Sequence, residues 1–136
     1  MLIRIDKTSA EPLYLQIHSE IISGIARGEL QPGNMLPSVR ALASDLGVNL
    51  HTVNKAYTIL CSEGYIVMDR RKGAIVAQTI LHSEEFLSKI SRRLTLSAAE
   101  ARCREMGEEE FIRLCRACYR DTGKPIKNKE DMPCRI

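Results

Sequence analysis

The side chains best suited to reading another molecule fall within one short stretch, "SVRALASDLGVNLHTVNKAYT", Ser38 to Thr58. Arg40, Asn49, His51, Thr52, Asn54 and Lys55 are hydrogen-bonding groups set among apolar residues at helical spacing. Asn can pair in bidentate fashion with adenine, and His and Thr can donate or accept at base edges and phosphates. Arg40 offers a planar fork suited to phosphate or guanine. Leu50 can offer only apolar contact, for instance to a thymine methyl. This is the chemistry of recognition, not of bond breaking. His18, His51 and His82 lie in separate elements and form no metal motif, and no phosphate-cradling glycine loop or nucleophile elbow is present. Taken singly, each residue has a plainer reading: Asn49 as a helix cap, His51 as a solvated surface group.

The elements that must position these groups follow from the apolar pattern. Tyr14, Ile17, Ile21 and Ile25 predict a helix over Glu11 to Arg27, ended by Gly28. Gln31-Pro32-Gly33 predicts a turn, and Met35-Leu36-Pro37 an extended run, because a residue before Pro avoids the α region. Ser38 is a good N-cap for a helix carrying Val39, Leu42, Ala43 and Leu46 on one face. Gly47 suits the left-handed position that closes it. Asn49 caps a second helix with Val53, Ala56, Tyr57 and Leu60 in a stripe, ending at Gly64. "YIVMD" and "AIVAQ" predict a hairpin closed by Arg70-Arg71-Lys72-Gly73. Three cations on such a tip can follow a phosphate backbone or enter a minor groove, with Asp69 partly offsetting them.

A short helix, a tight turn and a second helix form a helix-turn-helix, and a cationic hairpin after it makes the arrangement a winged helix. A helix about 10–12 Å across fits a major groove about 12 Å wide. Its first residues then meet base edges, and its free N–H groups offer an anion-binding end.

From Leu81 the composition changes. Phe86, Leu87, Ile90, Leu94, Ala98 and Ala101 mark a long amphipathic helix, which Gly107 is expected to break. Glu108-Glu109-Glu110 suit the start of another helix, faced by Phe111, Leu114 and Cys118. From Asp121 the run is polar, with Gly123, Pro125 and Pro133. Cys115-x-x-Cys118 has a metal-type spacing, with Cys103 and Cys134 as further candidates, but a pair inside a helix reads first as structural.

The totals agree with this without proving it. The 136 residues are 44% hydrophobic and 4% aromatic, with a net charge of +3, which is too mild to announce nucleic acid by itself. Five Cys without a secretory leader predict reduced thiols in a cytoplasm. No apolar run approaches the ~18 residues of a membrane span.

The stretch "PLYLQIHSEIISGIARGELQPGNMLPSVRALASDLGVNLHTVNKAYTILCSEGYIVMDRRKGAIVA" resembles the DNA-binding domain of the GntR transcription regulators. "LQPGNMLPSVRALA", "TVNKAY" and "EGYI" carry the resemblance most strongly, and "IDKTSAEPLYLQI" with the brief C-terminal region resembles the YtrA-type branch. The resemblance implies small dimeric repressors. It also implies DNA contacts at the positions matching Arg40, Asn49, Leu50, His51, Thr52 and Asn54 and at the wing near Gly73. Relatives outside the branch often carry Arg where Leu50 and Asn54 stand, and a second wing glycine where Arg71 stands.

The expected molecule is therefore mainly α with a small β-hairpin. A winged helix-turn-helix domain (1–80) precedes a two-helix dimerisation region (81–121) and a polar tail (122–136). Ser38, Arg40, Asn49, Leu50, His51, Thr52, Asn54, Lys55, Arg70, Arg71, Lys72 and Gly73 form the DNA-binding set, and Phe86, Leu87, Ile90, Leu94, Phe111 and Leu114 the dimer contacts. The partner is a pseudo-palindromic duplex operator, with no cofactor and no membrane. Only about 55 residues follow the hairpin, too few to enclose a small-molecule pocket in a core of their own. Two other readings compete: a winged domain used only for protein contact, and a thiol- or metal-responsive regulator acting through Cys115 and Cys118.

Overall fold

A computed structural model of the chain describes residues 3–123. Cys134 and the rest of the 124–136 tail lie outside them. The helices are α1 (Leu13–Ala26), α2 (Val39–Leu46), α3 (Leu50–Ser62), α4 (Glu84–Cys103) and α5 (Glu108–Asp121). The strands β1 (Ile66–Asp69) and β2 (Gly73–Val76) lie between α3 and α4. The chain divides into two compact units, Met1–Ile80 and Leu81–Ile136.

In the first unit, α3 packs on α1, α2 and β1. The stripes meet in one aliphatic core, where Ile17, Ile21, Val53, Leu60, Ile66 and Val76 are fully buried. Each contributes about 1.5–3 kcal/mol by leaving water. Tyr57 is the one aromatic among these buried residues. Its hydroxyl donates to the Pro37 carbonyl at 2.8 Å, and burial pushes its pKa up to about 12. That bond ties α3 to the backbone just ahead of α2.

The first helix begins at Leu13, with Pro12 at the cap, two residues later than the apolar pattern suggests. Pro12 lacks an N–H, which a helix start does not need. The buried Gln16 amide then fastens the preceding segment. It accepts from the Asp6 N–H at 2.7 Å and donates to the carbonyls of Asp6 and Glu11. Gln31 to Asn34 closes a turn by a 3.0 Å backbone bond, and Met35 pairs antiparallel with Ile75. The run leading into α2 is thus anchored to the second strand of the hairpin.

In the second unit, α4 and α5 bury no residue. Ser83 caps α4 by accepting from the Phe86 N–H, and Glu108, Glu109 and Glu110 fill the first turn of α5 as expected. The break between the helices departs from expectation. Helix α4 stops at Cys103, and Glu105, not a glycine, takes the left-handed conformation (φ 59°). The Met106 N–H bonds the Ala101 carbonyl and the Glu105 N–H the Arg102 carbonyl, so the terminal carbonyls are satisfied by a Schellman closure. Gly107 is extended and caps α5.

Candidate nucleic-acid interface

Three local devices fix the two ends of α2 and the start of α3. The Ser38 hydroxyl accepts from the Ala41 N–H at 3.1 Å and starts α2. Gly47, at φ 62°, closes it; a Cβ there would lie 3.2 Å from the Lys7 ammonium, which donates to the Gly47 carbonyl. The Asn49 side chain accepts from the His51 N–H at 2.8 Å and starts α3. The amide of Asn49 is therefore engaged as a cap. A bidentate grip on a base requires the oxygen to give up or share that bond, whereas a donation from the amide NH2 does not.

Because Val53, Ala56, Tyr57 and Leu60 turn inward, α3 presents the opposite side outward. Leu50, His51, Asn54 and Lys55 are exposed there, while Thr52 is half-buried at the edge of the stripe. Thr58 is also exposed, but its hydroxyl donates back to the Asn54 carbonyl at 2.8 Å. Arg40 is exposed in the first turn of α2 and forms no ion pair among the described residues. On α3, Leu50, His51, Asn54 and Thr58 share one side by helical spacing. Lys55 is set apart: its ammonium lies 3.9 Å from the centroid of the Tyr14 ring on α1. Pattern reading does not reveal this contact, because it depends on how α1 and α3 cross.

At the hairpin, Ile66 to Asp69 pairs antiparallel with Gly73 to Val76, leaving Arg70, Arg71 and Lys72 exposed at the tip. Gly73 takes a positive φ of 76°, which an L side chain would resist. Asp69 does more than offset charge. Its carboxylate accepts from the N–H groups of Arg71 and Lys72, both at 2.8 Å. Those bonds, Lys72 first, hold its pKa below the usual carboxylate value. A group depressed in this way supports the wing above the ordinary carboxylate pKa and loses that support as pH falls through its own. Amide-exchange protection at Arg71 and Lys72, relative to intrinsic rates, should therefore drop in acid, and Asp69→Ala should remove it at every pH. Equal protection in the variant would mean that strand pairing alone sets the turn.

Cys115 and Cys118 are both half-buried on α5. Among the described residues no cluster of three or more His, Cys, Asp or Glu could hold a metal ion, and no helix is long and apolar enough to cross a membrane.

Known proteins match this arrangement. Residues 13–76 match the family described as "Bacterial regulatory proteins, gntR family". The HTH-type transcriptional regulator YhcF of Bacillus subtilis is 32% identical over 106 residues, covering 76% of this chain and 87% of YhcF. YtrA from Sulfolobus acidocaldarius, solved and described as a GntR-family transcription factor, is 42% identical, with a TM-score of 0.58 over 71% of this chain and 99% of its own. The chain belongs to the GntR family. It is a DNA-binding transcriptional regulator of the YtrA-like kind, from a family of regulators and not of enzymes. A solved transcriptional antiterminator from Listeria monocytogenes EGD-e is similar over 95% of this GntR chain and 98% of its own, at a TM-score of 0.85 and 27% identity. Other curated regulators are matched over less than two-thirds of their own length.

Proposed function

We propose that this GntR regulator is a cytoplasmic, dimeric repressor that covers a promoter by binding a pseudo-palindromic operator. The observation that carries the reading is the two-sidedness of α3. Its back is fully buried, while His51 and Asn54 are exposed, and the preceding helix carries an exposed Arg40 that forms no ion pair among the described residues. Arg40 and the wing cations Arg70, Arg71 and Lys72 anchor phosphates, with Gly73 shaping the wing. Ser38 and Asn49 set the helix starts. Leu50, His51, Thr52 and Asn54 face the major groove, and Lys55 lies at its edge. Two copies, joined through Phe86, Leu87, Ile90, Leu94, Phe111 and Leu114, would read half-sites about 34 Å apart.

Selection of binding sites from random duplex DNA tests this. The expected product is a two-fold repeated half-site, bound with an affinity that falls steeply with salt, by about 0.9 log units per log unit for each phosphate neutralised. Absence of enrichment, or indifference to salt, would leave the winged unit as a protein-contact module. A parallel selection from single-stranded RNA addresses the activity named for the Listeria relative. A reporter behind the selected promoter should rise when the regulator is deleted; a fall would mean activation.

A further inference from the structure

The Tyr14–Lys55 contact is the feature that the outward face of α3 does not by itself explain. Tyr14 lies in the first turn of α1, half-buried against the core. Lys55 lies in the middle of α3, and α1 packs on α3. The Lys55 ammonium is 3.9 Å from the ring centroid, within the range of a cation–π attraction. It forms no ion pair with a carboxylate among the described residues. A lysine stem is long and flexible, so an unrestrained ammonium would sample many places. Here the ring fixes it on the α1 flank of the helix.

The flank matters because of sizes. A helix about 10–12 Å across nearly fills a groove about 12 Å wide, so its outward face meets the base edges and its flanks meet the walls. Those walls are the sugar–phosphate backbones. A cation on an aromatic face still has N–H groups directed away from the ring, available to an anion.

We propose that Tyr14 is a positioning residue for DNA binding, holding the Lys55 ammonium where the backbone at one wall of the groove will lie. The inference rests on α3 being the helix that enters the groove. It adds a residue on α1, outside the helix-turn-helix, whose effect on affinity passes through Lys55.

The test is a double-mutant cycle on the full chain with the selected operator. Lys55→Gln should lower affinity and flatten the salt dependence by about 0.9 log units per half-site. Tyr14→Leu frees the ammonium and should cost about two- to ten-fold per half-site, the cost of immobilising a flexible side chain on binding. Tyr14→Phe keeps the ring and should bind as the parent does. In the Lys55→Gln background, Tyr14→Leu should be silent. Upfield ring-current shifts at the Lys55 ε-methylene should persist in Tyr14→Phe and vanish in Tyr14→Leu, and thermal unfolding of each variant reads packing separately. Parental affinity in Tyr14→Leu, or an equal loss in the Lys55→Gln background, overturns the proposal. If Lys55→Gln is silent while His51→Ala weakens binding, the groove reading stands and this one falls. If neither substitution matters, α3 is not the reading helix.

Discussion

Aspartate at both Ile90 and Leu94 is expected to convert the protein to a monomer and to weaken operator binding by about 10²–10⁴-fold. The reason is an apolar face that stays partly exposed among the described residues. Along α4, Phe86, Leu87, Ile90 and Leu94 remain 39%, 49%, 37% and 50% exposed, and neither α4 nor α5 buries a residue. Contiguous apolar surface of this kind marks an association site. Two helices that do not bury their own faces can do so against the same faces of a second copy, across a two-fold axis. A carboxylate in that contact must be desolvated without a partner, at several kcal/mol per ion. Losing the second copy then removes the second half-site, and with it the gain from tethering. Sedimentation should show the mass halved. A duplex with one half-site should bind parent and variant alike, while a duplex with two should separate them. None of these four residues belongs to the core of the first unit, so its unfolding should be unchanged. A variant that still sediments as a dimer would remove α4 from the interface.

What the sequence reveals and what it hides divide along the range of the interactions. Ser38, Asn49 and Gly47 are legible because a cap or a left-handed closure involves residues two to four apart, and the residue type nearly determines the conformation. The stripes of α2 and α3 are legible because periodicity encodes burial. The end of α4 is not. Gly107 looks like the breaker, yet the left-handed residue is Glu105, which nothing local favours. The Schellman bonds to Ala101 and Arg102 accompany that conformation, at a cost usually about 1–2 kcal/mol for a side-chain-bearing residue. Asp69 can be read as a charge, but its role as a turn acceptor requires the hairpin to be closed. Tyr14 and Lys55 are 41 positions apart, and only the crossing of α1 on α3 brings them together. Gln16 is hidden for a similar reason. A glutamine in an amphipathic helix reads as solvated until the segment before Pro12 folds back onto it.

Arg40→Ala should lower affinity for the selected operator by about 1–3 kcal/mol per half-site if Arg40 reads guanine, a loss counted twice in a dimer. The substitution is clean on the protein side. Arg40 is exposed, makes no ion pair among the described residues, and lies inside the cap formed by the Ser38 hydroxyl and the Ala41 N–H without its side chain taking part in that bond. Alanine is the best helix former, so stability should hold or rise slightly. Lysine at the same place separates the two chemistries. If Arg40 meets a phosphate, Arg40→Lys keeps the charge and restores both affinity and salt slope. If it grips guanine through its planar fork, Lys restores the slope but not the base preference, because a point charge cannot fill both acceptors in the same geometry. Repeating the selection with Arg40→Ala then shows which case holds: one base position relaxes in the guanine case, and none does in the phosphate case. Parental affinity in Arg40→Ala would place the first turn of α2 off the DNA and leave the exposed residues of α3 and the wing to supply all of the contacts.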